Sequence, residues 1–270
     1  MKNDPGFYDY WPYENRPKIN WPGGAKMAFW VAPNIEYYEL DPPENPQRKP
    51  WPAPSPAIAG YSIRDYGNRV GHMRQMKLLE KYGIRGSISL STALCDHHPE
   101  IIELCKERDW EFFSHGIYNT RYTYGMDEQQ ERDMIRDAME TIFKHTGQKC
   151  AGYLAPALSH SELTLDLFAE VGTELFGDEG GIYTCDLFHD DQPTPIHLRS
   201  GKRFVSIPYS LEMNDTIAYV VNKIEPRRYG QIIKDNFDRL YEEGAENGTV
   251  MCIPTHNYQV SCPHRLKAFE

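Results

Sequence analysis

A single α/β barrel is the fold this sequence predicts, and two observations carry the expectation. Short strand-like runs alternate with stretches of helical periodicity, the pattern of parallel strands joined by right-handed crossovers. The strand-like runs are apolar almost throughout, as strands buried on both faces are. They run out into polar residues at their C-terminal ends, where such barrels place their chemistry. About seven strand–helix units fit a barrel closed around those ends. A length of 270 residues suits one domain over 1–270 and is enough to bury a large core without staples.

Residues 1–23, rich in Pro, Trp and Tyr, show no period and read as an arm that packs on its own body, with a subunit contact as the alternative. Residues 26–33 (KMAFWVAP) form the first strand, ending at Glu36 and Tyr37. The segment 41–60 carries prolines at 42, 43, 46, 50, 52, 54 and 56, too many for helix or ladder, so it reads as an extended loop that walls or lids the cleft. A helix over 66–82 with Val70, Met73, Met76 and Leu79 inward and Gly83 as its stop precedes a strand at 86–90. Pro99 opens the next helix. Residues 111–114 are a strand ending on Ser114-His115-Gly116, and 127–145 a helix followed by Gly147. A strand at 149–155, a helix at 162–171 closed by Gly172, and strands at 182–187 and 204–209 come next. A long helix at 227–243, with Tyr229, Ile232, Ile233, Phe237, Leu240 and Tyr241 inward, leads to the last strand at 249–254. Residues 265–270 read as the start of one more helix.

The formal net charge of −10 argues against a general nucleic-acid binder, which needs a basic face, and against attraction to anionic membranes. No apolar run approaches the roughly 20 residues of a membrane span. Residues 1–17 lack the apolar region of a secretory leader. The six cysteines form no C-x-x-C pair, so reduced thiols and a cytoplasmic location are expected. His72, His97, His98 and His145 fall on helix faces or entries and are expected to be solvated surface.

The predicted strand ends read Glu36; Ser91 and Thr92; His115 and Asn119; the stretch 156–160; the stretch 186–191; Glu212, Asn214 and Asp215; and His256 with Asn257. Five blocks here carry a resemblance: Trp21-Pro22-Gly23-Gly24-Ala25; Tyr66-Gly67-Asn68-Arg69-Val70-Gly71; Ser114-His115-Gly116; Leu154-Ala155-Pro156; and Ile207-Pro208-Tyr209 followed by Asn214-Asp215. In order and spacing they resemble the polysaccharide deacetylase superfamily, the NodB-homology domain, from about residue 20 onward. The run 256–265 (HNYQVSCPHR) is similar to the end motif of its intracellular, allantoinase-like and cyclic-imide-hydrolase-like branch. The resemblance implies a distorted (β/α)7 TIM-like barrel, hydrolysis of a C–N bond in an amide, acetamide or cyclic amide, and a homo-oligomer.

The departures set the expectations for the site. Where metal-dependent members of that family carry an Asp-Asp pair, this chain has Glu36-Tyr37. Where they carry His-(Ser/Thr)-x-x-x-His, it has His115 and, four residues on, Asn119; the family's Arg-x-Pro is replaced by Leu154-Ala155-Pro156. A phenol and an amide are poor Zn²⁺ ligands, so the expected cofactor is none or one divalent, zinc-type metal, with none favoured and His115 as the remaining ligand. Glu36 is expected as general base, His256 as acid to the leaving nitrogen, and His115 as the group that orients or polarises. Backbone N–H groups or Asn119 would hold the oxyanion. Tyr37, Asn119, Pro156, Asp186, Glu212, Asn214 and Asp215 are expected around a small-molecule amide substrate. The bland alternatives are a salt-bridged strand cap for Glu36 and a local cap for Asp215. An N-deacetylase of acetylated sugars and a non-catalytic ligand-binding barrel remain the competing functions.

Overall fold

The first strand and the last lie side by side. In the computed structural model, which describes residues 6–43 and 56–270, β1 (Met27–Ile35) pairs in parallel with β8 (Thr249–His256), from Met27 opposite Thr249 to Asn34 opposite His256. On the other side of β1 lie β2 (Ser87–Leu90), β3 (Glu111–Ser114), β4 (Gly152–Tyr153), β5 (Tyr183–Thr184) and β7 (Val205–Ser206), all parallel. A short β6 (Thr194–Pro195) runs antiparallel on the outer edge of β7, a position that tolerates proline. The sheet order is therefore β6-β7-β5-β4-β3-β2-β1-β8: seven parallel strands, as expected for the barrel, plus one edge strand that the sequence pattern does not predict. The sheet curls until its two edges approach, where the Val250 amide donates to the Asp191 carbonyl at 2.8 Å.

The helices are α1 (Ile58–Tyr66), α2 (His72–Lys81), α3 (Leu94–His97), α4 (Pro99–Lys106), α5 (Glu128–Thr146), α6 (Thr164–Phe176), α7 (Pro226–Asn247) and α8 (Pro263–Phe269). A π-turn at Gly67–Gly71 joins α1 to α2. Five expectations need correction. Residues 58–60 belong to α1 and not to the Pro-rich loop; residues 44–55 of that loop lie outside the described residues. The inward face of the 66–82 helix is shifted, because a π-turn holds an extra residue and rotates the helix beyond it. Val70 is 39% exposed, while His72 and Gln75 are buried beside Met76 and Leu79. His72 is thus a core histidine, 3.6 Å from the Cys105 thiol; burial pushes the imidazole down to about 4 and the thiol up to about 12, so the pair stays neutral. In addition, α6 runs past Gly172, which is needed where the helix presses on the backbone at Gly180 and Gly181. On α7, Phe237 and Tyr241 stack on each other at the surface, not inward.

The arm packs on its own body. Tyr8 stacks on His189 with ring centroids 3.7 Å apart, Arg16 pairs with Asp190 at 2.8 Å, and the Ile19 amide donates to the Asn247 carbonyl. All six cysteines are free thiols. No helix among the described residues is long and apolar enough to cross a membrane.

The core has two layers, and strand parity separates them. Side chains alternate between sheet faces with a period of two. Val31, Ile35, Ile88, Leu90, Phe112 and Tyr153 pack outward against the helices. Ala32, Phe113, Leu154, Cys185, Tyr209 and Cys252 fill the barrel interior.

Candidate active site

The same parity assembles the site. Counting by twos, the interior face of β1 runs Ala32, Asn34, Glu36; that of β3 runs Phe113, His115; that of β8 runs Cys252, Pro254, His256. The three residues expected to do chemistry therefore meet at the top of the barrel. Glu36 Oε1 lies 3.3 Å from His115 Nε2 and 3.5 Å from His256 Nε2. The Tyr258 hydroxyl donates to the other oxygen, Oε2, at 2.7 Å. Glu36 is only 2% exposed, with His115 and His256 similarly buried.

Each imidazole is fixed from behind. His115 Nδ1 donates to the Leu154 carbonyl at 2.9 Å, since a carbonyl has no hydrogen to give, and Nε2 faces Glu36. His256 Nδ1 donates to Asp215 Oδ1 at 2.6 Å. Asp215 Oδ2 in turn accepts from the backbone N–H groups of His256 (2.8 Å) and Val260 (3.0 Å). Burial alone would push His256 down, but Asp215 and then Glu36 lift it to about 10. Burial pushes the Glu36 carboxyl up; the His256 charge and hydrogen bonds from His115 and His256 outweigh that and hold it well below the usual range. At neutral pH the site is thus a carboxylate facing an imidazolium in a desolvated pocket.

Glycines admit the neighbouring loops. Gly116 has φ 67°, and a Cβ there would sit 2.6 Å from the Pro156 ring. Pro156 is buried against it, and the next two residues, Ala157 and Leu158, adopt left-handed φ of 51° and 57°. Any Cβ on Gly67 or Gly71 would collide with Asn257. Between them Asn68 donates to the Glu36 carbonyl at 3.1 Å and accepts from Asn257 Nδ2 at 3.0 Å. The Gly-Asn-x-x-Gly block therefore locks the ends of β1 and β8 to each other.

The remaining expected residues divide. Asn119 is buried; its Nδ2 donates to Tyr38 at 2.6 Å and its Oδ1 has no partner. Tyr37 has the opposite parity to Glu36. Its ring stacks on His97 with centroids 4.1 Å apart, and its hydroxyl meets that of Tyr61 at 3.3 Å. Asp186 likewise has outward parity, accepts from the Ala155 amide at 2.9 Å, and so holds the loop that carries Leu154 and Pro156. Asn214 caps the turn after it, accepting from Thr216 N at 2.9 Å, and Glu212 is exposed. Sequence reasoning missed Tyr258, Tyr38, Asn34 and Arg64. Tyr258 lies within the run 256–265, two residues from His256, where only a three-dimensional turn brings it onto Glu36.

A zinc-type ion of the kind the resemblance implies does not fit this donor set. Tyr37 stands where a carboxylate is needed and turns away, and Asn119 presents an amide. Among the described residues no three His, Cys, Asp or Glu side chains are arranged to hold a metal ion.

Comparison with known proteins finds relatives of this chain. Residues 61–176 match the polysaccharide deacetylase family model. A peptidoglycan deacetylase of Helicobacter pylori is 27% identical over 160 residues, which are 59% of this chain and 51% of that protein; the match thus spans about half the length of that relative. The crystal structure of PuuE allantoinase superposes with a TM-score of 0.79 at 26% identity, covering 94% of this chain and 85% of the other. A probable polysaccharide deacetylase from Pseudomonas aeruginosa PAO1 gives the same TM-score and identity over 94% and 86%. The relatives compared are thus named as deacetylases and an allantoinase.

Proposed function

We propose that the protein hydrolyses a C–N bond in a small amide or cyclic amide, with Glu36, His115 and His256 as its catalytic residues. One observation carries the reading: a buried carboxylate flanked by two imidazoles, each with its far nitrogen fixed. Glu36, ionised, takes a proton from water as its oxygen adds to the carbonyl carbon. His256, protonated, gives its Nε2 proton to the departing nitrogen as the C–N bond breaks, while Asp215 keeps the imidazole in the productive tautomer. Loss of that proton removes the cation that depressed Glu36, so the carboxyl proton passes back to His256 Nε2 across 3.5 Å and the site is reset. His115, anchored on Leu154, orients the water or the carbonyl. The unpartnered Asn119 Oδ1 is placed to accept from a substrate N–H.

The depth of the site favours compact substrates. Tyr38, Tyr258 and Arg64 cover Glu36, which suits a small molecule better than a polymer chain. The second reading, an N-deacetylase of acetylated sugars, draws on the peptidoglycan deacetylase relative. A panel of cyclic imides, ureides, simple amides and N-acetylated sugars separates the two by product release. Glu36→Gln should abolish turnover of whichever class is used. Hydrolysis of none of them by folded protein, or full activity in Glu36→Gln, would sink the proposal.

A further inference from the structure

Arg64 lies over the reaction centre, near the Glu36 carboxylate but without a direct ion-pair partner among the described residues. Its guanidinium sits 4.4 Å above the Tyr38 ring and 5.3 Å from the Tyr258 ring. Those are the two phenols whose hydroxyls meet Asn119 and Glu36. Nη1 donates to the Gly60 carbonyl at 3.2 Å, and Nε is buried without a partner. The neighbouring Asp65 is taken by Arg69 at 2.5 Å, and among the described residues Arg64 forms no ion pair. Arg64 borders a narrow surface crevice together with Tyr37, Tyr38, Tyr61 and Asn68.

We propose that Arg64 receives a carboxylate on the substrate, so that the protein selects compact amides and cyclic amides bearing one. This rests on the hydrolase reading above and names its substrate class. A half-buried guanidinium held on aromatic faces retains its charge and a planar fork of donors that matches a carboxylate in bidentate geometry. A neutral substrate leaves the buried Nε–H without an acceptor; a carboxylate supplies one and a direct ion pair. The alternative role, a latch that merely holds the tyrosine cover shut, needs no charge on the substrate. The reaction is unchanged: water oxygen bonds to the carbonyl carbon, the C–N bond breaks, and the nitrogen leaves with the proton.

Two matched pairs test it: succinamate against butanamide, and hydantoin-5-acetate against hydantoin. In unmutated protein the carboxylate member of a pair should have the higher kcat/KM. Arg64→Gln should lower the charged-to-neutral ratio about tenfold or more, through KM, because one charge-assisted contact is lost; Arg64→Lys should restore part of it. An unchanged ratio, with both members slowed equally, makes Arg64 a latch and overturns the proposal. Calorimetric binding of succinamate to Glu36→Gln, with and without Arg64→Gln, decides the matter independently of turnover. Binding lost with Arg64 supports the site, and binding indifferent to Arg64 overturns it. Failure of every amide to turn over would count against the hydrolase reading instead.

Discussion

Replacing Asp215 with Asn keeps the shape of the site and removes the charge that holds His256 protonated. With His256 at about 10, only about one molecule in a thousand carries the neutral ring at pH 7. Taking one partner from a buried ion pair costs about 3–5 kcal/mol. At about 1.4 kcal/mol per pH unit, His256 in Asp215→Asn should titrate at roughly 6.5–8. The general acid is then largely lost above neutrality, and the amide no longer enforces the tautomer. The expected fall in kcat/KM at about pH 8 is 10²-fold or more, with part of it regained toward pH 6. Substrate loss and product formation followed chromatographically from about pH 5.5 to 10.5 give the profile, and the NMR shifts of the His256 ring give its titration directly. Stability depends on the same group. Its value is raised on folding, so its contribution is complete below 6.5 and drains away as pH rises through about 10. The Tm of unmutated protein should fall over that window, and that of Asp215→Asn should fall much less. An alkaline limb that stays put in the variant, or a ring still titrating near 10, would refute the assignment of Asp215 as the anchor.

Two further substitutions probe the same framework. Tyr258→Phe removes the 2.7 Å donor from Glu36, an interaction with a charged group worth about 1.5–3 kcal/mol; the acid limb of kcat/KM should climb by about one to two pH units, and an unmoved limb would show that Glu36 is not the base. Gly71→Ala forces a methyl into the Asn257 backbone and should cost about 1–3 kcal/mol in chemical denaturation, whereas Gly60→Ala, whose Cβ would meet nothing closer than 3.7 Å, should be neutral to stabilising by up to about 1 kcal/mol.

How much could be read from the chain beforehand depended on the distance over which each feature is decided. β3 is legible at its exact bounds, because four residues of apolar character and a Ser-His-Gly turn decide it locally. Glu36, His115 and His256 are legible as strand ends, since a parallel barrel gathers those ends whatever the details. Asp215 is legible only as a polar residue after a strand: its partner is 41 residues further on, and nothing near it in sequence distinguishes an ion-pair anchor from a cap. The inward turn of His72 and Gln75 depends on the π-turn, which Gly67 and Gly71 permit but which their one-sided contact with Asn257 requires. That contact belongs to the tertiary structure alone. Asp186 and Tyr37 differ from their expected places by one step of strand parity, a shift too small to extract from runs whose ends are uncertain by a residue.

Asp215 comes after β7 and His256 ends β8, and these two strands share no ladder of backbone hydrogen bonds. At the bottom of the barrel the gap is bridged by the contact between Asp191 and Val250; at the top it is spanned by the Asp215–His256 ion pair. The pair that supplies the proton is therefore also a clasp on the one side of the barrel where the sheet does not close itself. Each time His256 surrenders its proton to a leaving nitrogen, the clasp loses one of its two charges. Product departure and a slackening of the wall would then be the same event, and a barrel whose catalytic group lies so deep would loosen at the moment it has something to release.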